Sequence, residues 1–162
     1  MNRAECNAKI EEYGRGFDLF NAALDEIPRE AREYRPASGE WSVHEVIVHM
    51  ADSESMGALR LRKIIAEPGT TLMTYDETKW AEALDYRNQN ADDALQDFRL
   101  ARQMTYHLLK TLSDEVFTHS VIHPAFDEPY TFEQWLNIYV DHVPEHVGQL
   151  KNNYRAWKEQ NK

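Results

Sequence analysis

The segment Asp141-His142-Val143-Pro144-Glu145-His146-Val147-Gly148-Gln149-Leu150 sets two imidazoles four residues apart. On a helix such residues stand one above the other on one face. At that spacing both rings can hold a single transition-metal ion. Imidazole sites favour three or four ligands, so a further nitrogen has to come from elsewhere in the chain.

Seven histidines are available: His44, His49, His107, His119, His123, His142 and His146. A second four-residue pair, His119 and His123, lies in a β-branched stretch stopped by Pro124. That stretch reads as extended or loop. Four residues of extended chain span roughly 13 Å, too far for chelation. The pair at 142 and 146 is better placed. Phe132, Trp135, Leu136, Tyr139, Val143, Val147, Leu150, Tyr154 and Trp157 recur at helical spacing. His146 falls on the apolar face they define, and His142 on its shoulder beside Trp135. Inward-facing imidazoles need partners. Backbone carbonyls or carboxylates would serve as well as a metal on this helix alone.

A third imidazole comes from Trp41-Ser42-Val43-His44-Glu45-Val46-Ile47-Val48-His49-Met50-Ala51-Asp52, which opens with a capping box of Ser42 and Glu45. The apolar stripe that follows is Val43, Val46, Ile47, Met50, Gly57, Leu61, Ile64 and Ile65. His49 sits at its edge with Ser53, Met56 and Arg60, whereas His44 points away and is expected to face solvent. Two helices of a bundle could then offer His49 from one side and His142 with His146 from the other. Gln149 and Asp52, each three residues beyond a candidate ligand, are candidates to orient an imidazole or accept a proton, as are Glu45 and Glu145. Solvated surface positions are the commoner explanation for each of these carboxylates. Arg60 and Arg102 could each hold an anionic substrate or pair with a neighbouring helix.

The elements needed to position these residues are helical. Ile10, Tyr13, Phe17, Phe20 and Leu24 predict a first helix of about five turns ending before Pro28. The second is expected from the Ser42 cap to about Ala66, closed by Pro68-Gly69. A third should start near Asn90 with a buried stripe of Ala94, Phe98, Ala101, Thr105, Leu108 and Leu112. The fourth follows Thr131, whose partner Gln134 completes another capping box. The connections, about 14, 22 and 17 residues long, permit crossovers along the bundle. The middle one should contain a short helix, with Tyr75 and Trp80 either roofing a pocket or packing as core. Pro144 removes one backbone hydrogen bond, to the carbonyl of Val140.

The 162 residues are expected to form one domain, and a net charge of −10 argues against a nucleic-acid partner. No apolar run approaches membrane-spanning length and the N-terminus lacks a hydrophobic signal region, so a cytoplasmic location is expected. The lone Cys6 forms no internal disulfide. Absence of HExxH argues against a zincin protease, and absence of paired Glu-x-x-His motifs against a di-iron carboxylate bundle.

The ordered set Trp41-Ser42…Glu45…His49-Met50-Ala51-Asp52…Glu54, Tyr75-Asp76…Trp80 through Tyr86, Leu95…Phe98…Arg102, His123-Pro124 and Tyr130-Thr131-Phe132…Trp135…Tyr139…His142-Val143-Pro144…His146…Gln149 resembles the DinB/YfiT-like superfamily over nearly the whole chain. It departs at Ala125-Phe126-Asp127-Glu128-Pro129, where similar proteins often carry an acidic residue and a glycine turn. The resemblance implies an all-α four-helix bundle with long crossover connections. It also implies one divalent ion per chain, zinc or nickel, on His49, His142 and His146. Relatives include thiol-dependent transferases using low-molecular-weight thiols, and many are dimers.

Three neutral imidazoles would leave the ion an open position. That suits a metal-dependent hydrolase, or a thiol-dependent transferase acting on a small electrophilic substrate. Cys6 is distant in sequence, so a thiol would arrive as cosubstrate. The alternative is a metal-binding or stress-related ligand-binding protein without catalysis.

Overall fold

In the computed structural model, which describes residues 1–162, five α-helices are joined by turns, short 3-10 segments and one small β-ribbon. The helices are α1 (Arg3–Asp25), α2 (Val43–Ala66), α3 (Glu77–Ala83), α4 (Ala91–Leu109) and α5 (Phe132–Gln160). Each starts at a side chain that accepts from orphan backbone amides: Asn2, Ser42, Asp76, Asn90 and Thr131. Full capping boxes lock α1, α2 and α5. α5 continues through Pro144.

The four long helices form a square in which α1 packs on α4 and α5, and α2 packs on the same two. Consecutive helices α1 and α2 therefore sit on a diagonal, as do α4 and α5. Phe17 meets Phe98 while Tyr106 reaches Glu11, so α1 and α4 are antiparallel. His49 meets His142 while Trp135 donates to the Gly57 carbonyl, so α2 and α5 are antiparallel too. His44 meets Gln89 and Ser55 meets Asp97, so α2 and α4 run parallel. Parallel neighbours force the 67–90 connection, α3 included, to return along the bundle.

The third connection carries strands β1 (Ser120–Val121) and β2 (Tyr130–Thr131), paired antiparallel. Residues 69–72 lace onto it: Gly69 and Leu72 donate to the carbonyls of Ser120 and Ile122 at 2.8 Å each. No helix is long and apolar enough to cross a membrane.

The core has two apolar halves. One gathers Ile10, Leu61, Leu109, Phe132 and Trp135; the other gathers Phe20, Met50, Phe98, Val143 and Leu150. Between them lies a buried polar layer. Arg102 donates to Glu54 at 2.7 Å, to the Tyr13 carbonyl at 2.8 Å and to the Tyr139 carbonyl at 2.9 Å, and Tyr13 Oη donates to Glu54. Arg102 and Glu54 are each 1% exposed. This layer turns α4 away from the expected stripe: Phe98, Arg102, Thr105 and Leu109 are buried, while Leu108 is half-buried. Gly16 makes room for it, since a Cβ there would lie 2.6 Å from Arg102 Nε.

Candidate metal centre

His49 projects from α2, one turn beyond the Ser42–Glu45 cap, and His142 and His146 project from facing turns of α5. Their Nε2 atoms converge: His142 Nε2 is 3.2 Å from His49 Nε2 and 3.0 Å from His146 Nε2. Two nitrogens bound tetrahedrally at the usual 2.0–2.1 Å lie about 3.3 Å apart, so the two separations from His142 are within a few tenths of an ångström of that value, and all three ligand atoms lie within 4.8 Å of one another. A hydrogen bond between two imidazoles accounts for one such contact; three convergent nitrogens exceed what one shared proton can satisfy. Of the His, Cys, Asp and Glu side chains, only these three belong to the cluster.

Burial shapes the charge state. It pushes His49 down to about 3 and His142 to about 2, with the neighbouring imidazoles adding to the effect, and it lowers His146 as well. All three rings are therefore neutral at physiological pH, the form that ligates metals.

The surroundings differ from residue to residue. His146 Nδ1 lies 2.8 Å from Gln149 Oε1. Donation to that oxygen places the ring hydrogen on Nδ1 and leaves the Nε2 lone pair free. The Nδ1 atoms of His49 and His142 are buried without partners. Trp41 covers His49 with ring centres 4.8 Å apart, and Tyr139 flanks His142 at 6.3 Å. Trp41 is held in turn by Asn153, which donates to its carbonyl at 2.8 Å. An open groove lined by Trp41, Glu145, Gly148 and Gln149 runs past two neighbours of the cluster, Trp41 and Gln149, without any of the three histidines in its wall.

Other candidate residues lie elsewhere. Asp52 does not bond His49; its carboxylate accepts from Tyr86 Oη. Glu45 closes the α2 cap and pairs with Arg35. Glu145 is exposed. His44 is not solvent-facing: its ring bonds the Gln89 carbonyl at 3.0 Å and Glu33 at 2.9 Å, because the chain entering α4 fills that side of α2. His119 and His123 flank the ribbon, bonded to the Ile64 carbonyl and the Ala125 amide. Arg102 is committed to Glu54, whereas Arg60 has no carboxylate partner. The roles of Trp41 and Asn153 carry no local sequence signal, since both depend on α2–α5 packing.

A profile described as the DinB superfamily matches residues 12–150. YfiT of Bacillus subtilis, named as a candidate metal-dependent hydrolase, is 30% identical over 82% of this chain and 81% of that protein. A protein of Oceanobacillus iheyensis with the same kind of name is 31% identical over 82% of this chain and 72% of its own length. The solved structure of YfiT, described as having an unusual four-helix-bundle topology, superposes with a TM-score of 0.88 at 23% identity, covering 98% of this chain and 90% of that one. A DinB-like protein of Bacillus subtilis superposes with a TM-score of 0.63 at 17% identity, covering 93% and 92% of the two chains.

Proposed function

The chain belongs to the DinB superfamily, and from that premise we propose that it is a metal-dependent hydrolase of a small electrophilic substrate. Its divalent ion, zinc or nickel, is held by His49, His142 and His146. The observation that carries this reading is the convergence of three neutral imidazoles, one buried and two half-buried, with no fourth side-chain ligand. A purely structural site would close all four positions, usually with thiolates.

When bound, a divalent ion supplies Lewis acidity toward a water or a substrate oxygen. The chain supplies the rest. Gln149 fixes the His146 tautomer, and Trp41 clamps the plane of His49 against α2. Pro144, between the two α5 ligands, projects outward and leaves both rings on the inner face. The relatives' names support hydrolysis in particular, because each describes a metal-dependent hydrolase.

The test uses protein purified without a polyhistidine tag, loaded with zinc or nickel, and assayed on activated esters such as 4-nitrophenyl acetate. Hydrolysis should need the metal, vanish in H142A and H146A, and persist in H44A. Activity that survives chelation overturns the proposal. Turnover that depends on an added thiol and yields the thioester with release of 4-nitrophenolate replaces hydrolysis with thiol transfer.

A further inference from the structure

Pro144 stands between the two ligands of α5 and has no N–H to give the Val140 carbonyl. Proline is where helices bend, so the helix alone does not fix the setting of His142 against His146. Contacts with other helices have to hold the two sides of the break. Beyond it, Asn153 ties α5 to the Trp41 carbonyl at 2.8 Å. Before it, Arg102 Nη2 donates to the Tyr139 carbonyl at 2.9 Å. A helical carbonyl points toward the C-terminus, so this donor meets α5 in the turn that carries His142.

The same guanidinium, carried by α4, reaches the other two long helices as well. Its Nη1 donates to Glu54 of α2 at 2.7 Å, and its Nε to the Tyr13 carbonyl of α1 at 2.8 Å. Glu54 lies five residues beyond His49, and Tyr139 three before His142. A planar fork with fixed donor spacing thus cross-links α2 and α5 within about one and a half turns of the histidines. Gly57 tightens the same junction, since a Cβ there would lie 2.3 Å from Tyr139 Cε1. The Tyr139 ring in turn flanks His142 at 6.3 Å. Stability alone does not call for such an ion pair, because apolar side chains of similar volume often serve a buried site as well or better. What the pair adds is a defined helix spacing.

We propose that Arg102 is a positioning residue for the metal centre, setting the separation of α2 and α5 where His49 meets His142. It acts through the Tyr139 carbonyl on one helix and Glu54 on the other. The inference rests on the three-histidine reading of the metal and is independent of which reaction the ion serves.

The test titrates cobalt(II) into the untagged protein, because its visible d–d bands report the geometry of the ligands. The double variant E54L/R102M removes the fork and leaves no stranded charge; far-ultraviolet dichroism and a cooperative urea transition establish that it is folded. It should bind cobalt at least about tenfold more weakly than the parent, with altered bands, as happens when groups that orient metal ligands are lost. L109A opens a cavity in the core seven residues further along α4, on the side away from the histidines. It should lower stability yet keep the parent's bands and affinity. R102K, which keeps the charge but not the fork, takes the place of the double variant if that one does not fold, and should show the same spectral change. A folded variant with the parent's bands and affinity overturns the proposal, as does an equal loss in L109A. A parent that binds no cobalt instead retires the three-histidine centre, and the role of Arg102 with it.

Discussion

Replacing Glu54 with leucine removes the only charge that faces Arg102 at 2.7 Å inside a layer where both residues are 1% exposed. The guanidinium keeps two carbonyl acceptors, from Tyr13 and Tyr139, but has no counter-charge, and Tyr13 Oη loses its acceptor. Breaking a buried pair from one side costs about 3–5 kcal/mol. For a chain of this size that lowers the melting temperature by roughly 10 °C or more, against a typical total stability of about 5–15 kcal/mol. R102M should cost a comparable amount near pH 8, and less near pH 5, where the stranded carboxyl can take up a proton. The double variant E54L/R102M leaves neither charge behind. Its cost should fall at least about 2 kcal/mol short of the sum of the single variants. Urea unfolding of the four proteins, followed by far-ultraviolet dichroism, closes the cycle. Additive losses would refute the argument, because they would mean that the two charges do not depend on each other.

Three further outcomes are expected. Stability of the metal-free protein should fall between pH 7 and pH 5: His49 takes up a proton near pH 6.5 when unfolded but near 3 when folded, so it contributes fully above pH 7 and its contribution is lost as pH falls. The loss is about 2 kcal/mol for His49 alone, and H49N should flatten that slope in urea titrations; a variant that falls as steeply as the parent would show the histidine is not responsible. G57A should destabilise by about 1–3 kcal/mol despite alanine's better helix propensity, since its Cβ would lie 2.3 Å from Tyr139 Cε1; thermal melting decides, and a raised melting temperature would contradict the packing. Chelation should leave far-ultraviolet dichroism almost unchanged, because both apolar halves of the core close without the histidines, and lower the melting temperature only by mass action; loss of most helicity would make the metal structural.

Much of the frame was legible because it is local. The caps at Ser42 and Thr131 and the apolar stripe of α2 are written within a few residues, and α2 begins and ends where they place it. The start of α1 at Asn2 was missed, since its capping box precedes the apolar repeat. Strands of two residues are too short to show a period of two. The α4 stripe came out rotated because Arg102 is drawn inward by Glu54, a partner on another helix. For the same reason Arg60 and Arg102 looked alike in sequence, although one is saturated and the other is not. His44 went astray because helical periodicity describes only the largest apolar face, and the chain approaching α4 covers a second one. At the candidate metal centre, residue types and spacing could nominate three histidines; the Trp41 cover and the unpartnered Nδ1 atoms belong to long-range packing.

The diagonal placement of consecutive helices bears on how the molecule is made. His49 and His142 are 93 residues apart, and α5, which carries two of the three imidazoles, follows α1 to α4 in the chain. α1 and α2 hardly touch, so the first half of a nascent chain has no helical hairpin to close and must wait for α4 and α5. Long-range closures of this kind slow folding relative to simple up-and-down bundles. A growing chain therefore offers metal only one imidazole of this trio, His49, until α5 docks. Metal capture is thereby tied to chains in which α5 has docked, and an intermediate stalled before α5 should not sequester the ion.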